Sequence, residues 1–164
     1  MKTDNKTLKL SYTAALAALC CATTFIHVPS ATGYLHLGDS MVFLALFFLG
    51  PCYGAAAAGV GCGLADLILG YDLYIPATCL IKAAMLLLFF AFAKAAKKHA
   101  FVYILYGVCA VLFEALAYFA YEALILKYGL AVLPNILGNL LQGGVGYMLA
   151  LTVRSILSRK RVLK

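Results

Sequence analysis

Residues 100–126 read AFVYILYGVCAVLFEALAYFAYEALIL, a run with two carboxylates, Glu114 and Glu122, and no basic residue. As a helix rising 1.5 Å per residue it extends about 40 Å, enough to cross a hydrocarbon layer of about 30 Å with some tilt. The rest of the chain has the same character. Hydrophobic residues make up 65% of its 164 positions and charged residues 12%, with a mean hydropathy of +0.99, so lipid is the expected solvent for most of its surface. Working outward from 100–126, apolar runs between turn signals predict further spans at 9–27, 36–50, 53–69, 75–96 and 131–157. The expected fold is all-α: a polytopic membrane protein of six transmembrane helices in one bundle, a single integral membrane domain over residues 1–164. Gly50-Pro51 ends the second span early, and Gly54, Gly59, Gly61 and Gly63 mark the third as a helix that others approach closely.

A net charge of +7 would point to nucleic acid in a soluble protein, but its placement here points to topology. Lys2, Lys6 and Lys9 precede the first span, Lys94, Lys97 and Lys98 sit mid-chain, and Arg154, Arg159, Lys160, Arg161 and Lys164 close the last. Positive clusters stay cytoplasmic, and these three alternate correctly with an even number of spans, so both termini are expected on the cytoplasmic side of the membrane. The first segment also has features of a signal peptide, but its run approaches spanning length and no small-x-small cleavage site follows. Cys20, Cys21, Cys52, Cys62, Cys79 and Cys109 lack CxxC pairing and read as small buried residues, so neither a disulfide framework nor a metal site is expected. No internal repeat is visible, which argues against a two-half alternating-access carrier.

Apart from Asp4, every carboxylate falls in a span or an outer loop. Ionisable groups at membrane depth are costly and usually face a cavity or a partner. On the expected topology Asp39, Asp66, Lys82 and Glu122 lie in the outer halves of their helices, joined by Asn135, Asn139 and Gln142. The last three recur at i, i+4, i+7 and share a face; Glu114, Tyr118 and Glu122 form a similar stripe on the fifth span. Together they predict a polar pocket opening outward, where Tyr34, Tyr71, Tyr74, Tyr118 and Tyr121 supply rings for stacking on a flat ligand. Against this stands a purely structural role: interhelical bonding for any one Asn or Tyr, and an ion pair with Asp66 or Asp39 for Lys82.

The most specific text runs from Gly33 to Lys82: Gly33-Tyr34, Leu37-Gly38-Asp39, Leu49-Gly50-Pro51, Gly54-Ala55, Leu64-Ala65-Asp66-Leu67, Gly70-Tyr71, Pro76-Ala77-Thr78 and Ile81-Lys82. This ordered set resembles the S components (substrate-binding subunits) of energy-coupling factor (ECF) vitamin transporters, particularly the group around riboflavin, hydroxymethylpyrimidine and pyridoxine uptake. Ala83-Ala84-Met85-Leu86 stands where that group often has Gly-x-Glu-Gly, which leaves the substrate open among these three.

The resemblance implies an outward vitamin pocket capped by residues 28–35, with Asp39, Asp66, Tyr74, Lys82, Tyr118, Glu122, Asn135, Asn139 and Gln142 as its substrate-binding set. It also implies a membrane scaffold subunit and two cytoplasmic ATPases as partners, no cofactor, and toppling of the whole bundle to carry the pocket inward. The chain has no GxxxxGK[ST] phosphate loop of its own. Ala14, Ala18 and Ala22, at fourth-residue spacing on the first span, form a small-xxx-small stripe of the kind that serves S components for scaffold docking.

Two other classes compete. A membrane enzyme would need a nucleophile with a base or a metal cluster, whereas His27, His36 and His99 are scattered, with no carboxylate or cysteine at ligand spacing. A stand-alone channel or assembly factor would use the same polar set as pore lining or interhelical glue.

Overall fold

The computed structural model describes residues 6–29, 34–95 and 100–159. The Lys-rich loop expected around 94–100, Lys2 and the basic tail from Lys160 fall wholly or largely outside these residues. The chain is all-α apart from one small hairpin: α1 (Lys6–Thr24), β1 (His27–Pro29), β2 (Tyr34–His36), α2 (Gly38–Leu69), α3 (Ile75–Leu87), α4 (Phe89–Ala95), α5 (Ala100–Ala120) and α6 (Leu133–Arg159). Among the described residues, four helical stretches are long and apolar enough to cross a membrane: Gly38–Leu69, Asp72–Phe92, Phe101–Ile125 and Gly129–Ser158. α1, which carries Lys6, Lys9, Ser11 and Thr13, is not among them.

α2 holds the largest departure from regular geometry. Gly50 adopts φ 77° and ψ 176°, a left-handed value that glycine tolerates for want of a Cβ, and Pro51 follows with no N–H to continue the helix. Beyond this break the chain folds back. A Cβ on Gly54 would stand 3.0 Å from the carbonyl of Ala45 and from Leu46 Cα, so only glycine lets the two arms pack this closely. The expected turn at 50–52 is therefore present, although both arms count as one 32-residue helical element.

Packing follows the small residues. The inner face of α1 is Ala17, Cys20 and Thr24, all buried. It lies against Gly61 of α2, where any side chain would collide with the Ala17 carbonyl and Cys20 Cβ. Phe43, Met85, Leu86, Tyr106 and Tyr147 join the main apolar core, with Phe43 and Tyr147 rings 4.7 Å apart and Phe89 and Tyr106 rings 4.9 Å apart. Both core tyrosines satisfy their hydroxyls on backbone, Tyr106 on the Met85 carbonyl at 3.0 Å and Tyr147 on that of Tyr103 at 2.6 Å. At the far end of α6 the Arg154 guanidinium covers the rings of Tyr103 and Phe47, at 4.0 and 4.9 Å.

Two details differ from the sequence expectation. The segment after the first span is an antiparallel hairpin, with His27 opposite His36, Val28 opposite Leu35 and Pro29 opposite Tyr34. The fifth helix ends in a π turn, Tyr121–Ile125, closed by the Leu126 N–H donating to the Tyr121 carbonyl at 3.0 Å.

Candidate binding site

The hairpin borders a cavity built with the second arm of α2, α3, the fifth helix and α6. Tyr34, Leu35 and His36 come from β2, Cys62 and Asp66 from α2, Thr78 from α3, and Tyr71 and Tyr74 from the turn between them. Tyr118 and Glu122 come from the fifth helix and its π turn, and Asn135, Asn139 and Gln142 from α6. Seven residues of the expected set thus meet there: Asp66, Tyr74, Tyr118, Glu122, Asn135, Asn139 and Gln142. The α6 stripe faces the cavity because its i, i+4, i+7 spacing follows the helical turn.

The cavity is small, about 50 Å³, and its walls are tied by directional bonds. Tyr34 donates its hydroxyl to Asp66 Oδ1 at 2.5 Å, clamping the hairpin to α2. Burial and the adjacent carboxylate push the Tyr34 pKa well up, so this hydroxyl remains a donor. His36 donates its backbone N–H to Gln142 Oε1 at 2.9 Å, clamping the hairpin to α6. The His36 imidazole accepts the Gly38 N–H on Nδ1 at 3.0 Å, which leaves a neutral ring with its proton on Nε2. Desolvation pushes its pKa down to about 4, in keeping with that neutral state. On the opposite wall, Glu122 accepts from the Tyr74 hydroxyl at 3.0 Å and from Asn135 Nδ2 at 2.8 Å. Tyr118 donates to Thr78 Oγ1 at 3.1 Å. Tyr34 and Tyr71 stand 4.6 Å apart, Tyr71 and Tyr74 6.2 Å, giving an aromatic rim.

Asp39 and Lys82 do not line this cavity. They lie beneath it, where the Lys82 ammonium donates to both Asp39 and Glu114 and all three side chains are fully buried. The ion pair considered from sequence for Lys82 is present with Asp39, and Glu114 from the fifth span is the second partner. Gln142 connects the two layers: its Oε1 takes the hairpin N–H while its Nε2 donates to Asp39 Oδ2 at 2.8 Å. Among buried polar atoms, Asp66 Oδ2 and Glu114 Oε2 have no hydrogen-bond partner among the described residues.

Sequence reasoning left Cys62 and Thr78 out of the site, whereas Tyr34 and Tyr71, expected as stacking rings, are in its lining. Thr78 and Cys62 each sit one helical turn from a named carboxylate or lysine, Cys62 below Asp66 and Thr78 above Lys82, and that spacing is the signal that could have found them. The alanine stripe lies elsewhere. Ala14, Ala18 and Ala22 are exposed on the side of α1 away from Ala17, Cys20 and Thr24.

The family model for the S component of an ECF-type riboflavin transporter matches residues 4–159. A Pyrococcus woesei protein described as an uncharacterized protein in gap 3'region is 30% identical over 138 residues, covering 80% of this chain and 93% of the relative. No solved structure matches. A match over nearly the whole chain, onto a helical membrane protein with a lidded polar cavity, makes this chain a member of the ECF-type riboflavin transporter S-component family.

Proposed function

We propose that the chain is the membrane-embedded substrate-binding subunit of an ECF-type importer. It captures a vitamin or vitamin precursor from outside in the cavity beneath the hairpin, and a separate scaffold with two ATPases drives delivery inward. The observation that carries this reading is the convergence of Asp66, Tyr74, Tyr118, Glu122, Asn135, Asn139 and Gln142 on one cavity beside the hairpin. Hydroxymethylpyrimidine-type, pyridoxine-type and riboflavin-type rings all suit walls of tyrosine, carboxylate and amide.

At about 50 Å³ the cavity has room for only a few water molecules, so a vitamin enters when the hairpin lifts and the Tyr34–Asp66 and His36–Gln142 bonds part. In this reading the two arms of α2 on either side of Gly50 are separate spans, α1 is another, and the total is six with both termini cytoplasmic. Ala14, Ala18 and Ala22 are then the face offered to the scaffold.

Topology and partnership are both open to test. In a cysteine-free background, labels at Asp72→Cys and Tyr128→Cys should be reached from outside intact cells and those at Lys97→Cys and Arg161→Cys should not. Co-expression with a scaffold and ATPase module should yield a complex that imports vitamin on ATP hydrolysis. The reverse labelling pattern, or a chain that never joins such a module, would remove the reading.

A further inference from the structure

The charge balance around the cavity narrows the ligand further, on the reading that the cavity is the capture site. Two carboxylates line it, Asp66 and Glu122, and no lysine or arginine does among the described residues. The histidine in the lining, His36, is neutral, as its accepted bond from Gly38 requires. Lys82, the ammonium below the floor, is fully buried and already shared between Asp39 and Glu114. The polar layer thus holds four carboxyl groups, Asp39, Asp66, Glu114 and Glu122, to one ammonium. An anionic ligand would enter with no counter-charge free to meet it, in surroundings where an unpaired charge is most costly.

Of the two lining carboxylates, Asp66 has an oxygen short of a donor among the described residues. It is 3% exposed and lines the cavity; the hairpin tyrosine holds Oδ1, Thr78 stands beside the carboxyl as a second hydrogen-bonding neighbour, and Oδ2 makes no hydrogen bond of regular geometry among the described residues. A buried carboxylate oxygen without a donor is costly and calls for one. The hydroxyl of Tyr34 occupies the other oxygen, Oδ1, and Tyr34, Tyr71 and Tyr74 place their rings around the same mouth. Tyrosine faces beside a carboxylate attract cations through the ring quadrupole as well as through charge.

We propose that the cavity selects a small heteroaromatic ring whose nitrogen is cationic or protonated in the bound state, held by Asp66 with Glu122 opposite. It is selected over uncharged flavins and over anionic rings. The ligand's N–H or positive ring edge meets Asp66 Oδ2, and its arrival competes with Tyr34 for the same carboxylate.

The test is calorimetric titration of the full chain in detergent with one ring in three charge states: 1-methylnicotinamide (cation), nicotinamide (uncharged) and nicotinate (anion). Thiamine, 4-amino-5-hydroxymethyl-2-methylpyrimidine and riboflavin are titrated beside them. The expected order is cation over uncharged ring by about tenfold or more, anion weakest, and thiamine or the aminopyrimidine tighter than riboflavin. Asp66→Asn, nearly the same shape without the charge, should shrink the cation preference to about threefold or less. If that variant does not fold, the wild-type charge series decides alone. Riboflavin or nicotinate binding tightest would overturn the charge selection while leaving vitamin capture intact. Failure of every probe to bind would overturn the capture reading and this inference with it.

Discussion

The backbone N–H of His36 donates to the side-chain oxygen of Gln142 at 2.9 Å, joining the hairpin over the cavity to the polar stripe of α6. The same amide donates its Nε2 proton to Asp39, so one side chain spans the hairpin and the buried ion layer. Gln142 Nε2 also lies 3.4 Å from Glu114 Oε1, so Gln142→Leu removes all three bonds and leaves a half-buried N–H and two buried carboxyl groups short of a partner. We expect a loss of about 1–3 kcal/mol in stability and faster amide exchange across 34–37 by hydrogen–deuterium mass spectrometry. Unchanged exchange would mean that the Tyr34–Asp66 bond alone holds the hairpin down.

Lys82 is predicted to matter for stability more than for ligand contact, because it sits beneath the cavity with Asp39 and Glu114, all fully buried. Lys82→Met strands two carboxyl groups and should cost about 3–5 kcal/mol, read as a lower melting temperature in detergent. Replacing the layer together, as Asp39→Asn with Lys82→Met and Glu114→Gln, removes the charges along with their counter-charge and should recover much of that loss. A triple variant less stable than Lys82→Met would contradict the ion-layer account.

Close helix approach at Gly61 is the third point of test. A side chain there meets the Ala17 carbonyl and Cys20 Cβ, whereas one at Gly144 meets nothing within 4 Å. Gly61→Val should destabilise the protein by about 1–3 kcal/mol through overpacking of α1 on α2. Gly144→Ala should stay within about 0.5 kcal/mol of wild type. Equal effects in the two variants would mean that α1 is not packed as described.

The four long apolar helical stretches and much of the cavity wall were legible in the sequence for different reasons. Spans show because about 20 apolar residues in succession have few other uses. Asn135, Asn139 and Gln142 show because polar residues recurring with the helical turn in lipid must face something other than lipid. Depth within a helix is not written so directly. Asp39 and Lys82 stand at a level similar to the pocket residues, and only their mutual contact with Glu114 draws them under the floor. Nor does the three-residue pairing of β1 with β2 leave a mark, since so short a strand has no periodicity to read. The π turn at Tyr121–Ile125, which carries Glu122 into the cavity wall, is equally silent because it is set by packing.

The exposed alanine stripe of α1 offers a test of docking that leaves the cavity untouched, since no α1 residue lines it. Ala14, Ala18 and Ala22 are exposed, while Ala17, Cys20 and Thr24 pack inward. Ala14→Leu with Ala18→Leu would hold a partner helix away without touching the cavity. The double variant should fold and bind ligand like wild type, yet fail to co-purify with the scaffold and lose ATP-driven uptake. Unimpaired uptake would place the docking face elsewhere.

The most direct test of vitamin capture beneath the hairpin is native mass spectrometry of the full chain purified from its growth medium. Asp66 and Asn139 both line the cavity, so Asp66→Ala with Asn139→Ala removes a donor–acceptor pair from it without touching α1 or the buried ion layer. The wild type should carry one small heteroaromatic ligand per chain, and the folded double variant should carry none. A wild-type chain that carries nothing and binds no vitamin on titration, or a variant that retains the ligand as wild type does, would contradict the account.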